Sequence, residues 1–426
     1  MGMSYRITRV EDYEPLVGSE AAARILAKAR ELQGFHVTNI NSTYYGGGVA
    51  ELLSSFTLLL NELGLPAGWR ALRGSPDFIG ITKRMHNALQ GMPFNFTTLK
   101  RHIYESVVFQ SSQRNHFNRD NHDLIIVHDP QPLPLIVHYR KRCPWVWRCH
   151  IDLSRAHRKL WNYLRGFVDQ YDAAIFSTKE AARKIQPPRF FLLPAIDPFT
   201  IKNRKLPRSE MDGRLAHYHI PTDRPIIAQV ARFDPWKDPL GVIEALKLAR
   251  REVDATLVLL GNFVSDDPEG AKIYESLLAH HDERILVLPH GNDTALVDTL
   301  QTRAAVILQK SICEGFGLTV TEAMWKGTPV IGGNVGGIRH QIRDGINGFL
   351  VSSVRECAQR IVHLLKDRRL RERMGRAARE TVRRHFLMPR YLEQHLDLFR
   401  SVTPGFHRVG SRICPFPSKS ARRMRC

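Results

Sequence analysis

At 426 residues the chain exceeds what one hydrophobic core usually covers, and its 43% hydrophobic content can fill two, so two α/β domains are expected. No apolar run approaches the roughly eighteen residues of a membrane helix, and no charged-then-apolar leader opens the chain; this argues against integral membrane association and for a cytoplasmic protein. The 62 Lys and Arg against 42 Asp and Glu leave a formal charge of +20, yet without zinc-finger or RNA-binding aromatic signatures nucleic acid is not an expected partner.

The first 33 residues read as a helical extension, with an amphipathic helix around Ser19 to Leu32. A strand follows over Phe35 to Ile40, and Gly46-Gly47-Gly48 then opens a helix near Val49, which makes a strand, glycine turn, helix unit. Three glycines let a backbone approach a phosphate or a sugar where side chains would block it, although a plain tight turn uses the same residues. Leu124 to Val127 and Trp145 to Trp147 read as buried strands ending at His128-Asp129 and Cys149-His150-Ile151-Asp152. Ligands of open α/β sheets collect at such strand ends. His150 can bond a sugar hydroxyl through one ring nitrogen while Asp152 or a backbone carbonyl orients the other; a satisfied core histidine is the alternative. Asp129, before Pro130, reads equally well as a helix cap.

This first domain is assigned to 34–200 and a proline-rich, basic linker to 201–222. The second domain, 223–385, shows strands at Ile226 to Ala231, Thr256 to Leu260, Ile285 to Leu288, Ala305 to Leu308 and Thr328 to Ile331, each followed by a helical stretch. That alternation predicts a parallel sheet. After the first of these strands, Arg232 and Lys237 lie in a loop before a helix from about Pro239. After the fourth comes Glu314-Gly315-Phe316-Gly317-Leu318-Thr319-Val320-Thr321-Glu322, a glycine turn that leads into a helix from Thr319 to Trp325. Gly315 and Gly317 admit close approach, and the free N–H groups of the helix start favour an anion such as a diphosphate. Glu314 and Glu322 stand about 10 Å apart along the helix direction, a span that suits a sugar hydroxyl at one end of a diphosphate and a ribose at the other. If both loops face one side of one sheet, a guanidinium and an ammonium meet two carboxylates there, and the cations can stabilise charge on a departing diphosphate.

Six cysteines (Cys143, Cys149, Cys313, Cys357, Cys414 and Cys426) lack framework spacing and read as reduced thiols; Cys313 beside Glu314 reads as packing. No D-x-D, H-E-x-x-H or C-x-x-C occurs, so no metal is implied.

Arg232 and Lys237 followed by Glu314 and Glu322 at seven intervening residues resemble the retaining nucleotide-sugar glycosyltransferases of the glycogen-synthase-like clan, family 4. The stretches from Asn41 to Glu51, Val127 to Pro132 and Trp147 to Asp152 are similar to the trehalose glycosyltransferring synthases, and fungal trehalose phosphorylases share much of the pattern. The likeness runs from about Phe35 to Leu398. It implies an α/β protein with two facing Rossmann-like domains of GT-B type, parallel sheets, a cleft between them, and a crossing C-terminal helix at 386–402 ahead of a basic, disordered tail at 403–426. It further implies transfer of glucose from a nucleoside-diphosphate glucose to glucose, giving trehalose; the alternatives are a phosphorylase-like enzyme or a family 4 transferase with another acceptor. By the same resemblance Arg232, Lys237, Glu314 and His150 are catalytic, and Gly315, Phe316, Gly317, Leu318, Thr319, Glu322 and Gly261 bind the donor. Gly46, Gly47, Gly48, Asp129 and Asp152 hold the acceptor. No cofactor is expected beyond the nucleotide-sugar co-substrate, a homodimer is left open, and Pro289 to Asp293, near the expected base site, departs from the family pattern and leaves the base unassigned.

Overall fold

The computed structural model describes residues 7–115, 122–262, 268–289 and 293–404. Expectations that fall on His290-Gly291-Asn292 and on the tail beyond 404 lie outside the described residues.

Among the described residues twelve strands form two six-stranded parallel sheets. The first contains β1 (Val37–Asn41), β2 (Ala67–Ala71), β3 (Leu124–His128), β4 (Trp145–Arg148), β5 (Ala173–Phe176) and β6 (Arg189–Phe191), ordered β2-β1-β3-β4-β5-β6. The second contains β7 (Ile226–Val230), β8 (Thr256–Gly261), β9 (Ile285–Pro289), β10 (Val306–Gln309), β11 (Val330–Gly333) and β12 (Phe349–Val351), ordered β12-β11-β10-β7-β8-β9. Parallel pairing requires helical crossovers that cover both faces, so strands such as β3 and β8 carry apolar runs rather than alternation. In β3, Leu124 and Ile126 join one core while Ile125 and Val127 join the core on the opposite face. In β8, Val258 and Leu260 face one layer, and Leu257 and Leu259 the other. Four cores, two per sheet, are the result. Among the described residues no helix is long and apolar enough to cross a membrane.

The outgoing and returning chains lie side by side between the sheets: Ile196 N–H donates to the Phe386 carbonyl at 2.8 Å, and Met388 N–H to the Ile196 carbonyl at 3.0 Å. The last helix, Met388–Val402, then packs on the first domain. Its stripe of Met388, Tyr391, Leu392, Leu396 and Phe399 is buried against the helices Ser19–Glu31 and Gly48–Glu62. Phe399 stacks on Phe35 with centroids 5.5 Å apart. Each buried side chain of this size contributes about 1.5–3 kcal/mol, far more than the surface pair of Lys28 and Asp397 at the same interface, 2.7 Å apart.

Candidate active site

The carboxyl ends of β7 and β10 carry the two elements expected to converge, and they do. After β7 the chain enters a short 3-10 turn, Pro235–Lys237, capped by Asp234, whose carboxylate accepts the Trp236 N–H at 3.0 Å. Gln229 holds the Lys237 carbonyl at 2.8 Å, and the Lys237 ammonium reaches Glu314 Oε2 at 2.5 Å. Ser311 Oγ donates to the same oxygen at 3.3 Å. Arg232 bends back to Asp234 at 3.4 Å and stays 46% exposed, so its guanidinium is open to a ligand. Burial raises the Asp234 carboxyl, but Lys83 and Arg232, joined by the Trp236 N–H and Lys237, hold the group below its usual range. Gly261 packs behind this loop: a Cβ there would lie 2.7 Å from the Ala231 carbonyl and from the Phe233 ring.

The first domain closes on the same place. Lys83 of the helix Pro76–Leu89 bonds Asp234 at 3.1 Å, and Asn87 of that helix accepts from the Trp236 indole at 3.2 Å. His86 sits among these cations, and burial, reinforced by Arg232 and Lys83, pushes it down to about 3. Sequence reasoning missed this helix. Its Lys83, His86 and Asn87 recur at helical spacing opposite Ile81, Met85 and Leu89, a signal for a polar face that does not say what the face meets. The Glu314-Gly315 turn touches the first domain directly, since a Cβ on Gly315 would come within 2.2 Å of the His150 carbonyl, and only glycine permits that approach. Likewise Gly48 faces the start of the helix Leu318–Trp325, its missing Cβ 2.8 Å from the Leu318 side chain. The glycine turn 46–48, the loop at His150 and the turn 314–318 therefore border one cleft.

Two sequence expectations need correction on the first-domain side. Asp129 is not a helix cap: at φ 63 its carboxylate accepts the His150 backbone N–H at 2.7 Å and anchors the next strand's loop. Nor is His150 oriented by Asp152, which accepts the Ser154 N–H at 2.9 Å. The ring partner is His128, whose Nδ1 lies 3.0 Å from His150 Nε2. Burial, with help from Arg148, keeps both imidazoles neutral.

A family model of the trehalose synthase N-terminal domain matches residues 39–183, and one of group 1 glycosyltransferases matches 215–381. Over 405 residues the chain is 40% identical to the trehalose synthase of Pyrococcus horikoshii, an alignment that covers 92% of this chain and 96% of that relative. The chain belongs to the trehalose synthase family. It is a glycosyltransferase of trehalose-related sugar transfer. Its fold is shared with an α,α-trehalose-phosphate synthase (UDP-forming) from Burkholderia vietnamiensis, TM-score 0.69 at 14% identity, covering 88% of this chain and 100% of that one. It is shared equally with Anabaena HepE, solved in complex with UDP and glucose, TM-score 0.66 at 17% identity, covering 86% and 100%. These likenesses establish the GT-B arrangement of two facing Rossmann-like domains.

In this member of the trehalose synthase family the second glutamate looks away from the first. Glu322 is 1% exposed, with Oε1 on the Lys202 ammonium at 2.8 Å and Oε2 on the Gln301 amide at 2.9 Å. Lys202, from the linker, also reaches Glu51 of the first domain at 3.0 Å. Burial would raise the Glu322 carboxyl, but Lys202 and Lys326 outweigh it and hold it low. Nothing in the spacing of residues 314 and 322 indicates this cluster, because Lys202 comes from a segment legible only as basic and polar.

The site also carries a titration. Burial pushes the Asp129 carboxyl from 3.8 up to about 7, against the opposing pull of the His150 N–H and Arg148. The folded protein then holds a proton that the unfolded chain has lost, so this contribution is complete below pH 3.8 and disappears as pH rises through about 7. Asn mimics the neutral acid and tolerates positive φ. Denaturant unfolding across that window is expected to show the stability of wild type falling relative to Asp129→Asn; a constant difference would remove Asp129 as the titrating group.

Proposed function

We propose that the enzyme transfers glucose, with retained anomeric configuration, from a nucleoside-diphosphate glucose to free glucose and so makes trehalose. The observation that carries this is the pairing of Lys237 with Glu314 beside the open Arg232 guanidinium, across the cleft from His150 and the glycine turn 46–48. In this reading the diphosphate lies on Arg232, Lys237 and the N–H groups of residues 315–319, the hexose hydroxyls lie on Glu314, and the ribose lies on Glu322. The acceptor sits by Gly46 to Gly48, His150 and Asp152, with Asp129 acting through the His150 backbone. The acceptor oxygen bonds the anomeric carbon on the face from which the phosphate oxygen departs, and the acceptor proton passes to that leaving oxygen. No enzymic nucleophile is needed. The charge that develops on the diphosphate falls to Arg232 and Lys237, without a metal ion being called on. Packing of the first domain over the turn excludes water that would hydrolyse the donor.

The test is product identification. Purified enzyme is incubated with individual nucleotide-glucoses plus glucose, and separately with trehalose plus inorganic phosphate. Trehalose and nucleoside diphosphate are expected from the first mixture only. Glucose 1-phosphate formed from trehalose and phosphate, with no product from any nucleotide-glucose, would replace this reading by phosphorolysis.

A further inference from the structure

A line of polar side chains runs across three adjacent strands of the first sheet, and of it the transfer step as described uses only His150. Asn39 stands on β1, His128 at the end of β3 and His150 just past β4, and these strands are neighbours in the order β1-β3-β4. Asn39 is 0% exposed and His128 3%, and they meet each other through Asn39 Oδ1, while Asn39 Nδ2 finds no hydrogen-bond partner among the described residues. His128 Nε2 lies 3.0 Å from Asn39 Oδ1, and His128 Nδ1 lies 3.0 Å from His150 Nε2.

With the Asn39 carbonyl facing His128, the chemistry of these contacts sets the position of each proton. A carbonyl oxygen only accepts, so His128 donates through Nε2–H. Its ring is neutral, because burial and then Arg148 and His395 disfavour the cation, and a neutral imidazole has one N–H. His128 Nδ1 is therefore an acceptor. His150 Nε2 must then carry the hydrogen of the pair, and its ring is neutral too, under burial and the charges of Arg148 and its neighbours. The remaining nitrogen, His150 Nδ1, holds a lone pair.

We propose that Asn39 and His128 are positioning residues that lock His150 in its Nε2–H form, so that Nδ1 acts only as a hydrogen-bond acceptor toward a sugar hydroxyl in the cleft. The inference deepens the sugar-transfer reading and rests on it for the identity of the ligand. It makes His150 selective for a group that can donate. A sugar whose contacted hydroxyl is replaced by fluorine or methoxy offers this nitrogen no hydrogen, and a half-buried acceptor left unpaired disfavours it.

The direct test is nitrogen NMR of the full-length enzyme labelled at histidine, with the His150 signals assigned from His150→Gln. A bare Nδ1 and a protonated Nε2 are expected between about pH 5.5 and 8, well above the titration of a ring so buried. An Asn39 amide turned the other way would pass the protons down the line in reverse, and a His150 Nδ1–H signal would overturn the proposal. The spectrum needs no substrate, so its failure is distinct from a failure of the sugar-transfer reading, which product identification decides.

The kinetic test compares two changes at one position. Asn places Oδ1 close to where imidazole has Nδ1, so His128→Asn keeps the acceptor and His128→Leu removes it. His128→Leu is expected to lose about 10–100-fold in kcat/KM, as for orienting partners of other functional histidines. It should also gain an acidic limb near the ordinary histidine range and lose discrimination against fluoro-sugars. His128→Asn is expected to restore most of the rate and the discrimination. Equal losses in both variants at equal thermal stability, with no change in pH profile or analogue selectivity, would reduce His128 to a packing residue.

Discussion

Replacing Lys237 by Ala is expected to lower turnover by at least about a hundredfold, the usual cost of one donor aimed at charge that develops in a transition state, while donor affinity falls much less. The position of the ammonium is the reason. Gln229 fixes the Lys237 backbone and Glu314 holds its Nζ, so the charge is in place before substrate arrives and needs no reorganisation. Arg232 is more exposed and only loosely held by Asp234, so it can still attract the diphosphate in the variant. Ground-state binding therefore survives better than the chemical step. The variant also leaves the Glu314 carboxylate, 11% exposed, without its cation, and this adds repulsion toward a diphosphate. Converting Glu314 to Gln as well is expected to recover donor binding but not turnover. Steady-state rates with equilibrium titration of the nucleotide-glucose measure the two effects separately; unchanged turnover in Lys237→Ala would remove the leaving-group role.

The central strands and the Lys237 and Glu314 pair were legible for one reason. Runs such as Leu124 to Val127 and Thr256 to Leu260 are apolar on both faces, which only a strand covered by helices on two sides can use, and loops after parallel strands share one edge. Three of the edge strands gave no such signal. β2 has only partly buried or exposed residues, and β6 and β12 are three residues long, too short to show a pattern. The His128 partner of His150 required knowing that β3 and β4 are adjacent, information held by pairing and not by composition. Interdomain contacts were the least legible. Lys83 meets Asp234 across 151 positions and Lys202 meets Glu51 across another 151, and no periodicity within either segment names so distant a partner.

Glu322 combines the largest expected stability effect with a test of the ribose assignment. Its carboxylate neutralises Lys202 and supports Lys326, whose ammonium also reaches Asp298 at 3.2 Å, and the Glu322 and Lys326 side chains are 2% and 5% exposed. Removing the acid leaves Lys202 with Glu51 and Lys326 with Asp298 as their remaining carboxylates, and loss of one partner from a buried charge cluster costs up to about 3–5 kcal/mol. Glu322→Ala should therefore unfold at markedly lower denaturant. Lys202→Met should also destabilise, by stranding the acid, and the double change should cost less than the sum of the two, with the difference measuring their coupling. Function separates them. As the structure stands, Lys202 and Gln301 occupy both oxygens of Glu322, so ribose hydroxyls bind there only when Lys202 withdraws. Without Lys202 nothing has to withdraw, and Lys202→Met is expected to bind nucleoside diphosphates more tightly, with stronger preference for ribose over deoxyribose. Glu322→Ala is expected to lose that preference. If titration with the paired ribo- and deoxyribonucleotides shows the same discrimination in wild type and both variants, Glu322 is a structural ion-pair partner and the ribose must be held elsewhere.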